Sequence, residues 1–267
     1  MLFEPVTQYD LDEIRDLRPD DWPDIVPDFE FYLSSPYCHP VKTKLNDKIV
    51  GIGASIIFGN TGWIAHIIVD KNYRNKGIGS QIVNCLLEVF KKKSVLSCSL
   101  IATDLGKPVY MKAGFRTVAE YSFLRKEKPW KNRSISDCVI PFKEEYRSQI
   151  YDMDKKISGE SRENLLANFL PSSMIYKENN EIAGYYIPDL KEGLIFADTI
   201  NAGIELMKLK YSKIDKAVLP SDNKAGINFL LQNGFLKLDR VGTRMVLGKD
   251  VDWKPDKIFS RIGGNLG

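Results

Sequence analysis

Between Trp63 and Ser80 the chain reads WIAHIIVDKNYRNKGIGS. An apolar run ends at Val69. A polar turn follows with Arg74, Asn75 and Lys76, and then two glycines, Gly77 and Gly79, stand one residue apart. From Ile78 onward apolar residues recur at helical spacing: Ile78, Ile82, Val83, Leu86, Leu87 and Phe90. A helix start presents backbone N–H groups that have no partner inside the helix, and the helix dipole adds positive potential there. Glycine allows a ligand to approach backbone that a Cβ would shield. A strand, a basic turn and two glycines at a helix opening therefore predict a seat for a phosphate or pyrophosphate, with charge from Arg74 and Lys76 and a hydroxyl from Ser80. Two other phosphate motifs are excluded. The lysine of a P-loop is missing after Gly79, and Ile82 stands where a dinucleotide fingerprint needs its third glycine.

The elements that must position this turn follow from periodicity and turn signals. The first half is expected to hold a strand at 3–7, a helix at 8–18 and a short helix around Phe29 to Leu33. Two strands within 41–58 join at Asn46 to Lys48, and a third covers 63–69. Helix 78–93 ends in three lysines, which suits its dipole. Strand 95–102, helix 104–113 and strand 116–126 follow. A polar, proline-bearing segment, 128–137, reads as a linker. Beyond it helices fit 143–156 and 161–169, and strands fit 173–178, 181–187 and 193–197. Helix 200–211, strand 214–219, helix 223–232 and strand 235–247 complete the chain.

That second series repeats the first. DKIVG ending at Gly51 resembles NEIAG ending at Gly184, GWIAHIIVD from Gly62 resembles GLIFADTI from Gly193, and KAGF ending at Phe115 resembles QNGF ending at Phe235. The copies are separated by 133, 131 and then 120 residues, so the second is shorter across its counterpart of the Arg-Gly-Gly turn. The expected organisation is a first domain at 1–127, the linker at 128–137 and a second domain at 138–267. Each is expected to be an α/β unit built on a mixed, mostly antiparallel twisted sheet flanked by helices.

The remaining bounds narrow the function. A chain of 267 residues with 27% charged residues and a net charge of +3 gives no electrostatic case for nucleic acid. No apolar run reaches the length of a membrane span. The start, MLFEPVTQYDLDEI, lacks a secretory h-region, and the four cysteines have neither disulfide-framework nor metal-ligand spacing. A cytoplasmic protein with reduced thiols and no metal is the expectation.

Arg74-x-x-Gly77-x-Gly79 after a strand ending IIV, together with YMKAGF at Tyr110 to Phe115, resembles the GNAT (Gcn5-related) N-acetyltransferases over residues 3 to 126. The second half, through YDMDKKISGESRENLL, TRMVLG and FSRIGGNLG, resembles the GNAT-like C-terminal domain of YitH-type acetyltransferases. The resemblance implies a tandem GNAT fold with acetyl-CoA as co-substrate. Backbone of Ile67, Ile68 and Val69 would pair with the pantetheine arm, and N–H groups of Asn75, Lys76, Gly77, Ile78, Gly79 and Ser80 would hold the pyrophosphate. Tyr110 would protonate the leaving sulfur. A small-molecule amine would attack the thioester directly in a ternary complex. Many relatives carry a glutamate on the central strand, whereas this strand offers only His66. A base, a buried hydrogen-bonded imidazole and a water relay all stay open there.

The second copy has no RxxGxG, and Leu230 stands where the first has Tyr110, so one CoA site is expected. Trp22, Phe29 and Trp63 are candidates for lining the acceptor pocket and Asp198 for contacting the amine. Asp152 and Arg162 match the family pattern and could pair with each other. The second half would complete the acceptor pocket or form a homodimer. The rival readings are a non-catalytic acyl-CoA-binding module and transfer of longer acyl groups.

Overall fold

The structure, a computed structural model, describes residues 1–20, 22–128 and 134–267. Residues 129–133 of the expected linker lie outside the described residues. The elements in chain order begin β1 (Glu4–Pro5), α1 (Leu11–Arg15), α2 (Val26–Ser34), β2 (Cys38–Leu45), β3 (Lys48–Phe58) and β4 (Thr61–Val69). Next come α3 (Ile78–Lys92), β5 (Ser97–Ala102), α4 (Lys107–Lys112) and β6 (Arg116–Lys126). The second half holds β7 (Val139–Pro141), α5 (Arg147–Ser158), α6 (Glu163–Leu166), β8 (Met174–Glu178), β9 (Glu181–Ile187) and β10 (Leu194–Ala197). It closes with α7 (Ile200–Tyr211), β11 (Lys216–Pro220), α8 (Lys224–Gln232), β12 (Phe235–Gly248) and β13 (Ile258–Ser260).

These elements form two compact units, and neither is a contiguous stretch of chain. One contains residues 1–116 and 245–249, the other 117–244 and 250–267. A cut into 1–127 and 138–267 therefore differs from the units in one systematic way, which is that β6 and the end of β12 change places. β6 belongs with the second unit, where it pairs antiparallel with β11 from Tyr121↔Pro220 to Arg125↔Lys216. The end of β12 belongs with the first, where the Lys249 N–H donates to the Leu96 carbonyl at 2.9 Å and Met245 packs into the core.

In the first unit β1 to β5 lie in sequence order, with the end of β12 next to β5. β2, β3 and β4 form an antiparallel meander, with β5 parallel to β4. Helix α3 lies close on this sheet because glycines sit beneath it. A Cβ on Gly53 would come within 2.7 Å of both Ile67 Cδ1 and Ile82 Cγ2, and one on Gly62 within 2.6 Å of Phe90 Cε1. Ile78, Ile82, Val83, Leu86 and Phe90 fill the interface, as their spacing predicts.

The second unit repeats the plan. β8, β9 and β10 form the meander, and a Cβ on Gly184 would lie 3.1 Å from Leu206 Cδ1 of α7, which is the relation of Gly51 to Ile82 in the first. Ile195, Leu206, Leu230 and Phe235 share one buried cluster. Two short strands, β7 and β13, are absent from the sequence expectation. Each spans three residues, too few for an alternation pattern to register.

Candidate active site

β4 and β5 pair only at Thr61↔Ser97, Gly62↔Cys98 and Trp63↔Ser99. Beyond Trp63 the two parallel strands part. The β5-facing backbone of β4 from Ile64 to Val69 is thus left without a ladder partner, in an arrangement open to another extended chain. On the other side of β4 the register to β3 slips between Ile52↔Ile68 and Ala54↔Ala65, so His66 and Ile67 together oppose one residue, Gly53. This is a β-bulge, a device that re-aims side chains. His66 has φ of +50°, a left-handed conformation that costs a β-substituted residue about 1–2 kcal/mol.

The bulge turns the imidazole toward α2. Its Nδ1 lies 2.8 Å from the Tyr32 hydroxyl and its Nε2 3.5 Å from Asp28 Oδ2. The rings of Trp22, Phe29 and Tyr32 stand 6.0, 5.7 and 5.7 Å from it. Burial pushes the imidazole down to about 4, so it is neutral at pH 7. With Tyr32 donating to Nδ1, that nitrogen is occupied, and Nε2 faces Asp28 at 3.5 Å without a hydrogen bond. That geometry suits an orienting imidazole better than one that strips a proton from a substrate.

At the other end of β4, Asp70 caps the turn by accepting from the Asn72 N–H at 2.9 Å. The hydrogen bond from Lys48 at 2.8 Å holds its carboxyl below the usual range. Arg74 Nε donates to the Val69 carbonyl at 3.2 Å, which ties the guanidinium to the strand end. Asn75 has φ of +63° and Gly77, the N-cap of α3, +79°. Arg74, Asn75, Lys76 and Gly77 are exposed. A Cβ at Gly79 would meet nothing nearer than Val69 Cγ2 at 3.8 Å. Packing within the protein therefore does not demand glycine at 79, and the helix start stands bare, as a pyrophosphate seat requires.

Tyr110 lies on α4 and packs against the α3 core, its ring 6.0 Å from Phe115. Burial raises its pKa, so the phenol keeps its proton at neutral pH. No described residue accepts a hydrogen bond from its hydroxyl. The first unit thus brings together Tyr110, Ile67, Val69 and Ile78 around one core cluster, with Trp22, Phe29 and His66 on the α2 side of β4. Trp63, within the paired part of β4, is 1% exposed, and Phe29 on α2 is 0% exposed.

Asp198 lies in the second unit, paired to Lys156 at 2.9 Å. Its carbonyl accepts from Lys257 Nζ at 2.8 Å. The cleft between β10 and β11 in this unit is filled by the chain's own tail. β13 pairs with β10 at Ile195↔Ser260 and Phe196↔Ile258. On its other side the Arg261 N–H donates to the Val218 carbonyl at 3.3 Å. Phe259 packs under Gly203, where a Cβ would meet its ring at 2.3 Å. Thr199 Oγ1 accepts from the Ala202 N–H at 3.2 Å and caps the helix that corresponds to α3. Leu230 is wholly buried core.

Arg162 does not pair with Asp152, which is exposed. Its partners are Asp154 at 2.6 Å and Glu160 at 3.8 Å. The phase of α5 explains the difference, because Ile150, Met153, Asp154 and Ile157 share its buried face.

Asp28 is a functional candidate that sequence patterning passes over; its i, i+4 spacing from Tyr32 puts both on one helix face.

Residues 7–115 match the model of the acetyltransferase (GNAT) family. Over 73% of its length, and 73% of the relative's, it is 27% identical to the uncharacterised N-acetyltransferase YitH of Bacillus subtilis (strain 168). All of it superposes on 95% of a Pyrococcus horikoshii protein named as an acetyltransferase, with TM-score 0.84 and 19% identity. A tandem GNAT protein from the clavulanic acid biosynthesis pathway shares the fold over 92% of this chain and 98% of its own, at TM-score 0.62 and 11% identity. The two-unit α/β architecture is thus shared with both solved structures. Among the described residues no helix is long and apolar enough to cross a membrane.

Proposed function

We propose that the protein transfers an acetyl group from acetyl-CoA to a primary amine of a small molecule, by direct attack in a ternary complex. The observation that carries this reading is the unpaired edge of β4, which runs from the parting point at Trp63 to the bare start of α3 at Gly77. An amide-bearing pantetheine arm is an extended chain of the kind that edge can pair, and its pyrophosphate falls at the glycines.

Backbone of Ile67, Ile68 and Val69 would hold the arm. The N–H groups of Asn75 to Ser80, with Arg74 and Lys76, would hold the pyrophosphate. As the neutral amine attacks the thioester carbonyl, the C–N bond forms and the C–S bond breaks, one proton passes from the amine to water and one reaches the sulfur. Tyr110 supplies the second, and its elevated pKa keeps it protonated until the thiolate forms. His66, held at Nδ1 by Tyr32, orients the acceptor side. The occupied cleft of the second unit supports a single acyl-CoA per chain.

The test is release of free CoA thiol from acetyl-CoA with a panel of primary amines, amino acids and polyamines. Saturable, amine-dependent release is expected. Tight acetyl-CoA binding with no release across the panel would replace this reading with a non-catalytic acyl-CoA-binding module.

A further inference from the structure

The thioester end of the arm can be located along β4. Val69 adjoins the pyrophosphate turn through Arg74, and a strand rises ~3.3 Å per residue. Four residues back from Val69 is Ala65, about 13 Å away by that rise, which brings an extended arm to the bulge. α3 packs on one face of the sheet there, with Ile67 and Val69 directed into its core. The acceptor must therefore reach the thioester from the α2 face, onto which the strained φ of His66 turns its ring.

On that face the groups are of two kinds. Trp22, half-buried, supplies aromatic surface, backed by the buried ring of Phe29. Asp28 supplies a carboxylate whose side chain is 23% exposed, against 8% for His66. Tyr32 fixes one ring nitrogen of His66, and the other faces Asp28 at 3.5 Å. A partly exposed carboxylate near an accessible aromatic ring is a recognition element for an organic ammonium, through ion pairing and cation–π attraction.

We propose that Asp28 is the seat of the acceptor's ammonium group, with Trp22 against its carbon skeleton and the His66 ring beside the carboxylate. The substrate class is then a cationic primary amine with an apolar or aromatic body next to the nitrogen. Amines flanked by a carboxylate are disfavoured, because a second anion would face Asp28. This deepens the acetyltransferase reading and rests on it for the identity of the site. Asp28 acts by positioning.

The probe pair is phenethylammonium and its neutral isostere 2-phenylethanol, titrated calorimetrically into the full-length protein with and without saturating CoA. The wild type should bind the ammonium at least tenfold more tightly than the alcohol. Asp28→Asn should bring the two within about twofold of each other and leave CoA affinity unchanged. Asp28→Glu should keep a preference for the cation, which a purely structural role would not predict. Should Asp28→Asn lose its cooperative melt, Asp28→Ser is read in its place. Equal affinities in the wild type, or a cation preference that survives removal of the carboxylate, overturn the proposal. Failure of CoA itself to bind overturns the acetyltransferase reading separately, since the probes are also measured without it.

Discussion

Replacing Gly79 with valine separates the ligand's demands from the fold's. A Cβ there finds only Val69 Cγ2, at 3.8 Å, an ordinary van der Waals contact. Gly79 also lies in regular helix, where glycine is the weaker former, so the variant should fold. The same branched side chain would stand over the N–H groups at the start of α3. Hydrogen bonds to a charged group are worth roughly 1.5–3 kcal/mol each. Losing two of them removes roughly 3–6 kcal/mol, or about 10²–10⁴-fold in affinity. Calorimetric titration with acetyl-CoA should show at least a hundredfold loss in a protein that melts within a few degrees of wild type. Gly53→Ala is the contrasting control. Its Cβ would press on Ile67 and Ile82 at 2.7 Å, so it should lose stability, by about 1–3 kcal/mol. A folded Gly79→Val protein with unchanged acetyl-CoA affinity would show that the pyrophosphate does not lie on this helix.

Tyr110→Phe removes a hydroxyl that no described residue uses, so stability and acetyl-CoA affinity should hold while the chemical step slows ~10²–10⁴-fold; a rate within about twofold of wild type refutes the acid role. His66 sets a pH window. Because its folded pKa is lowered from 6.5 to about 4, the unfolded chain takes up a proton that the folded one refuses, and stability falls as pH drops through that interval. The loss is at most roughly 3 kcal/mol, reduced by the attraction of Asp28, and denaturant melts at pH 7 and 4.5 should show a larger drop for wild type than for His66→Gln. Equal drops would mean the imidazole is not held neutral by burial. CoA should bind with a stoichiometry of one per chain, and a second equivalent would mean that β13 does not close the second cleft.

The parts of this molecule that were legible in the sequence are those with a period. The 3.6-residue stripe of α3 and the three-strand meanders were expected within a residue or two at most boundaries. Gly184 beneath α7 bears out the repeat first seen as NEIAG against DKIVG. What escaped lacks a local signature. The turn of His66 toward α2 depends on a bulge, and strict alternation along WIAHIIV cannot reveal an extra residue. Tyr32 read as an apolar helix residue, because its hydrogen bond is made to a side chain 34 positions away. The exchange of β6 and β12 escaped for the same reason, since a strand's sequence specifies which face is apolar and not which sheet it joins.

That exchange bears on how the molecule is made. The first unit lacks residues 245–249 until everything from 117 to 244 has been synthesised. After residue 116, another 133 residues must be polymerised before position 249 appears, a delay of roughly 7–27 s at ~5–20 residues per second. During that interval the nascent first unit has an open edge beside β5, where Leu96 and Ser97 await their partner. A truncated transcript or a stalled ribosome would release that edge permanently unpaired, a template for aggregation. Expression of residues 1–127 alone should therefore give an aggregating product instead of a soluble half-enzyme.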